Sequence, residues 1–292
     1  RDIEFALIAS IFELKTIYEI HHFGMLKKTT KFCFLNHLIL RFLSKISNVK
    51  FVCLTSNCVR TLKYLYPNIS DQRLQILPDA GGFIKSIYPY KNHIRNDKNF
   101  SIELSYAGSF LPGKGGLETV FLAKYLKQFK FNLAGILEEK MLNKISSIEN
   151  INFLGYLNDN QLIEFYDSCD ILIAPIGDRI FLDKAMNNEI TFYTSPLKLY
   201  EYSFTSKPVI TVDRPCTRVF KNMPGFWFVN KEKANCLNTW EEIIYDVYNY
   251  LSKNKIKDLL EARKKSIYTW EKRIEEMIKI KNEYYTVSLL LM

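Results

Sequence analysis

The sequence predicts an α/β protein built on parallel sheets. Short apolar runs alternate with longer segments of helical period almost throughout the chain, which is the pattern of stacked βαβ units. A length of 292 residues with 48% hydrophobic and 14% aromatic content can bury the cores of two such domains, and it excludes a disordered chain.

The elements follow in order. Ile3, Phe5, Ala6, Ile8, Ala9, Ile11 and Phe12 open the chain on a helical pattern, ahead of a strand at 16–20 (TIYEI). The apolar stretch 31–43 is interrupted by Asn36, His37 and Arg41, so it reads as part of an amphipathic helix over 30–47 and not as a bilayer span. Further strands are expected at 51–54, 74–77, 102–107, 131–134, 151–154, 171–174, 208–212 and 226–229. Helices are expected at 58–66, 117–128, 138–146, 159–168, 197–205, 236–252 and 256–282. Polar and charged residues break the pattern at 86–100, which places a connection between a first domain and a second one starting near Phe100.

The formal charge is +9, and residues 1–80 carry 11 Lys and Arg against 6 Asp and Glu. Attraction to an anionic membrane face or to a phosphate-bearing substrate is one reading, and a Lys-rich solubilising surface is the other. Six scattered cysteines without a C-x-x-C pair predict a reducing, cytoplasmic setting and no structural zinc.

Residues 106–116, YAGSFLPGKGG, spell G-x-x-x-x-G-K from Gly108 and then Gly115. The stretch lies between a buried-type strand and a helix, where glycines admit an anion to backbone N–H groups and Lys114 supplies a cation. An ATP loop needs a hydroxyl after the lysine to hold Mg²⁺, and Gly115 has none. A plain glycine-rich turn and the phosphate cradle of another enzyme stay open.

A second stretch, SPLKLYEYSFTSKPVI at 195–210, places Ser195 as a helix cap, Pro196 at the first helical position, and Lys198 and Glu201 one turn apart. N–H groups at such a start suit a diphosphate, and Glu201 suits sugar or ribose hydroxyls. A solvated ion pair between Lys198 and Glu201 is the alternative.

In this order, YEIHHFG (18–24), ILPDA (76–80), YAGSFLPGKGG, INFLGYLNDNQLIEFYDSCDILIAP (151–175), SPLKLYEYSFTSKPVI and YTWEKRIEEMI (268–278) resemble the family 4 retaining glycosyltransferases. The resemblance implies the GT-B fold, two Rossmann-like domains facing a cleft. Residues 1–90 would be the C-terminal part of an acceptor-side domain and 100–265 the donor domain, with 266–292 a helix crossing back to the first domain. Against a usual domain size, the chain would begin roughly 80–100 residues into its first domain.

The resemblance implies roles as well. Lys114 neutralises the leaving diphosphate, while Ser109 stands where the family usually has Arg. Glu201 is the second acid of an E-x7-E pair whose first position is Tyr193 here. His21, with His22 as a rival, lies near the acceptor and the transferred sugar. Gly113, Gly115, Pro196, Leu197 and Lys198 join Ser109 and Ser195 around the donor, and Tyr156 packs on the nucleobase. Asp170 and Pro175 bracket a strand facing the donor, Asp170 as a structural cap.

The implied activity is a metal-independent retaining transfer, of hexosyltransferase type, from a UDP- or GDP-sugar to a glycan or lipid-linked acceptor. It needs no cofactor and no nucleic acid. The setting is cell-envelope or exopolysaccharide synthesis in the cytoplasm, peripheral on an anionic membrane face. A non-catalytic nucleotide-binding remnant and a sugar-nucleotide epimerase are the competing readings, and the epimerase lacks identifiable extra acid/base residues.

Overall fold

The computed structural model describes residues 3–23, 33–82, 101–253 and 257–289. Among them the chain divides into two compact units. One comprises residues 1–80, 190–195 and 269–292, the other 81–189 and 196–268. The expected connection at 86–100 lies outside the described residues.

The first unit runs α1 (Ile3–Ile11), β1 (Thr16–Ile20), α2 (Cys33–Lys45), β2 (Val49–Cys53), α3 (Ser56–Leu65) and β3 (Leu74–Ile76). Its three strands are parallel in the order β1-β2-β3, with Thr16 opposite Val49 and Phe51 opposite Leu74. Tyr18 and Ile20 of β1 and Phe51 of β2 point into a core completed by Leu40, Leu43 and Leu62. Thr55 caps α3 by accepting the N–H of Cys58 at 3.2 Å, so the helix starts two residues earlier than its apolar pattern suggests.

The second unit runs β4 (Glu103–Ala107), α4 (Gly116–Tyr125), β5 (Lys130–Ala134), α5 (Glu139–Ile145), β6 (Ile151–Phe153), α6 (Asp159–Ser168), β7 (Ile171–Ala174), α7 (Leu197–Ser203), β8 (Val209–Val212), β9 (Phe226–Val229), α8 (Leu237–Lys253) and α9 (Lys257–Lys264). Six parallel strands lie in the order β6-β5-β4-β7-β8-β9, a doubly wound sheet. All four residues of β7 and of β8 are buried, as strands covered on both faces require. In such a sheet the order reverses between β4 and β7, and ligands bind outside the carboxyl ends of the strands there.

The helix expected over 256–282 is two helices, α9 and α10 (Trp270–Leu289). Ile267 N–H closes the end of α9 on Arg263 O at 3.0 Å, and Thr269 Oγ1 accepts the N–H of Lys272 at 3.1 Å to start α10. The buried Arg263 explains the stop. Its guanidinium donates to the carbonyls of Thr205, Lys207, Pro224 and Gly225 at 2.6–2.8 Å, which fixes the end of α9 on the second unit's loops. No helix among the described residues is long and apolar enough to cross a membrane.

Candidate functional site

The glycine-rich stretch follows β4, on the β4 side of the order reversal. Tyr106, the buried penultimate residue of β4, organises it. Its hydroxyl donates to the carbonyls of Ser109 at 2.6 Å and Lys114 at 3.1 Å, so one phenol ties both ends of the loop. Gly113 is required by close approach: its φ is +78°, and a Cβ there would stand 1.8 Å from the carbonyl oxygen of Arg179.

The loop's donors do not point into open space. The N–H groups of Gly113 and Gly115 donate to the two carboxylate oxygens of Glu118, each at 3.0 Å. Burial pushes the Glu118 carboxyl up, and these N–H groups pull it back. The backbone cradle expected at Gly113 and Gly115 thus already holds an anion, one belonging to the chain itself. Lys114 gives the loop itself a cationic side chain. Lys114 is half-buried, and burial lowers its pKa.

Lys198 comes to the same loop from α7. Its Nζ donates to Ala107 O at 2.6 Å and lies 3.7 Å from the centroid of the Tyr106 ring. A Cβ on Gly108 would stand 1.9 Å from that nitrogen, so glycine at 108 admits the ammonium. Burial, followed by the charge of Lys114, brings Lys198 down to about 7. Lys198 is therefore not the solvated partner of Glu201 that the i, i+3 spacing allows.

Glu201 is half-buried one turn further along α7 and contributes, after burial and Tyr202, to the raised pKa of Tyr166. The hydroxyl of Ser109 accepts the N–H of Leu111 at 3.2 Å, a local turn. Beside the loop, Gly108, Ser109, Gly135, Tyr156, Leu162 and Tyr166 line a cleft of about 420 Å³ that is mostly apolar. Tyr156 stands at its edge with 74% of its surface exposed.

Other expected residues are placed differently. Ser195 does not cap α7. Pro196 occupies the cap position and Leu197 is the first helical residue. The Ser195 hydroxyl instead accepts the N–H of Asp79 at 3.2 Å, within the first unit. A proline at 196 fits a helix cap because it has no N–H to satisfy. Asp170 Oδ2 accepts the N–H of Glu103 at 2.8 Å, a tie between β4 and the start of β7.

His21 follows β1 in the first unit, with Nε2 3.3 Å from Glu19 Oε1. Glu19 also meets the guanidinium of Arg273, whose Nε donates to Pro78 O at 2.7 Å. Burial works against ionising Glu19, yet His21 and Arg273 together hold its carboxyl at about 2. Asp79, in the same cluster, is pushed up by burial. This surround of His21 carries no local sequence signal, because Arg273 is 254 residues from Glu19. Glu118 did carry one: it is the third residue of α4, the position from which a glutamate reaches back to the cap N–H. Among the described residues no group of three or more His, Cys, Asp or Glu side chains is placed to hold a metal ion.

No family model matches the sequence, and no curated protein matches it. Solved structures do match the fold. A glycosyltransferase from Rickettsia africae superposes with a TM-score of 0.63 at 12% identity, over 97% of this chain and 80% of that one. Anabaena HepE in complex with UDP gives 0.62 at 11% identity, over 96% and 76%. TarM gives 0.61 at 15% identity, over 91% of this chain and 50% of its own. The chain therefore spans half the length of TarM and about three quarters or more of the other two. At such identities the likeness is one of architecture: the chain has the α/β, Rossmann-type layers of the GT-B fold.

Proposed function

We propose that the protein is a glycosyltransferase that moves a sugar from a UDP- or GDP-sugar to a glycan or lipid-linked acceptor. The observation that carries this reading is the convergence of Lys114 and Lys198 on one loop beside an apolar cleft edged by Tyr156. Cations at the loop suit a diphosphate, and an aromatic-edged apolar cleft suits a nucleobase. The structure of HepE with UDP-glucose gives the same class of ligand in a protein of this fold.

The mechanism rests on charge. As the glycosidic bond to the nucleoside diphosphate breaks, negative charge grows on the leaving phosphate, and a fixed ammonium stabilises it. Lys114 fills this role, Glu201 holds donor hydroxyls, and His21 of the first unit serves the acceptor side. The transfer is metal-independent, retaining and of hexosyltransferase type in this reading, and it belongs to cytoplasmic cell-envelope or exopolysaccharide synthesis. Phe5 on α1, Phe12 just after it and Phe34 on α2 are exposed, and α2 also carries the basic Arg41 and Lys45, which supports peripheral association with anionic lipid. Binding to vesicles that ignores lipid charge and salt would count against it.

The test is Lys114→Ala, assayed for sugar transfer with UDP- and GDP-sugars. The expected loss is on the order of 10² or more in rate. Transfer at the wild-type rate removes Lys114 from the mechanism. Nucleotide binding by the wild type without turnover favours the non-catalytic module.

A further inference from the structure

Position 109 supplies no cation to the loop, and the Ser109 hydroxyl is occupied by Leu111 N–H. The neighbouring space is filled from α7 by the Lys198 side chain, whose Nζ sits on Ala107 O and the Tyr106 ring where Gly108 leaves room. Lys114 faces it from the loop. Glu118 faces it from α4, with both oxygens already accepting from Gly113 and Gly115. From β4 comes Tyr106, and from its own helix come Glu201 and Tyr202, whose hydroxyl accepts Ala107 N–H at 3.1 Å. Two partly desolvated lysines thus share one loop, and Glu118, the carboxylate that acts on Lys198, has both oxygens committed to backbone N–H groups. A diphosphate adds counter-charge to such a pair.

On the reading of this unit as a nucleotide-sugar site, we propose that Lys198 is the second cation of the diphosphate pocket, replacing the one absent from position 109. We propose further that it takes up a proton as the nucleotide enters. The neutral amine accepts H⁺ from the buffer and becomes an ammonium; no bond of the nucleotide is made or broken. The physical cause is the reversal of two penalties. Burial and the Lys114 charge disfavour the ammonium of Lys198, and a diphosphate restores a counter-charge to both lysines. Arginine stays charged in any such setting, so a lysine here makes donor capture dependent on pH where an arginine would not.

The experiment is isothermal titration calorimetry with UDP and with GDP at about pH 8, where their terminal phosphates are already ionised. Buffers of small and large ionisation enthalpy, phosphate and Tris, are compared. Wild type is expected to take up close to one proton per nucleotide bound, read from the dependence of the heat on the buffer. Lys198→Arg is expected to bind within a few-fold of wild type with no buffer dependence. Lys198→Met is expected to lose about tenfold or more in affinity. The uptake is counted per nucleotide bound, so a less stable variant does not blur it. Wild-type binding with equal heat in every buffer overturns the proton uptake alone. Unchanged affinity in Lys198→Met overturns the second cation. Failure of wild type to bind either nucleotide overturns both, together with the functional reading.

Discussion

The Glu118 carboxylate reaches back from the first turn of α4 and accepts the backbone N–H of Gly113 at 3.0 Å, and its second oxygen accepts that of Gly115 at the same distance. A loop that looks built to hold a phosphate by its amides is thus held shut by an internal acid. Glu118→Ala leaves two loop N–H groups without their acceptor, and it is expected to lower stability by about 1–3 kcal/mol. Glu118→Gln keeps an acceptor oxygen and should lose less. Urea midpoints of the two variants against wild type check the order, and equal midpoints for all three would remove Glu118 as the loop's anchor.

Arg263 is a buried cation of the second unit with many partners: one guanidinium serves four carbonyls and lies 5.1 Å from the Phe226 ring centroid. Removing it strands those carbonyls and opens a void. Arg263→Ala is expected to cost about 3 kcal/mol or more, and Arg263→Lys to recover only part, because one ammonium cannot span the fork. Thermal unfolding of both variants reads this, and an unchanged midpoint for Arg263→Ala would refute the role.

These two anchors show what the sequence could and could not disclose. The strands were legible because they bury side chains on short apolar runs: ILIA at 171–174 and FWFV at 226–229 are β7 and β9 to the residue. The end of α9 was not, since an arginine in EARKK reads as a solvated face until its carbonyl partners arrive from residues 205–225. The start of α7 misled for a similar reason. Ser-Pro before an apolar run is a general helix-start signal, but the Ser195 hydroxyl has a partner 116 residues away at Asp79. At the site, the loop and Lys198 were visible as motifs. That Lys198 would insert beneath Gly108 was not, because contact across 91 residues depends on the sheet order β4-β7-β8 that brings α7 to the end of β4.

Tyr156 is an exposed aromatic on an apolar wall, an arrangement that suits stacking against a flat ring. Tyr156→Ala is expected to weaken UDP or GDP binding by about tenfold or more, while Tyr156→Phe stays close to wild type. Because the side chain is 74% exposed, stability should change little. Equal nucleotide affinity in Tyr156→Ala would place the base elsewhere.

The Glu19 cluster predicts a pH effect on the first unit. Its carboxyl is held at about 2, below the ordinary value of 4.5, by His21 and Arg273 acting against burial. A depressed acid contributes stability that is present above the unfolded value and lost as pH falls through the folded one. The contribution is therefore full above about 4.5 and disappears as pH drops toward about 2. It amounts to something on the order of 2 kcal/mol once partial hydration is allowed for. Glu19→Gln should be less stable than wild type at pH 7, with the gap closing between pH 4.5 and pH 2. Urea unfolding across that range measures it. A gap that stays constant with pH would show that Glu19 acts through packing alone and that its ion pair with Arg273 contributes nothing.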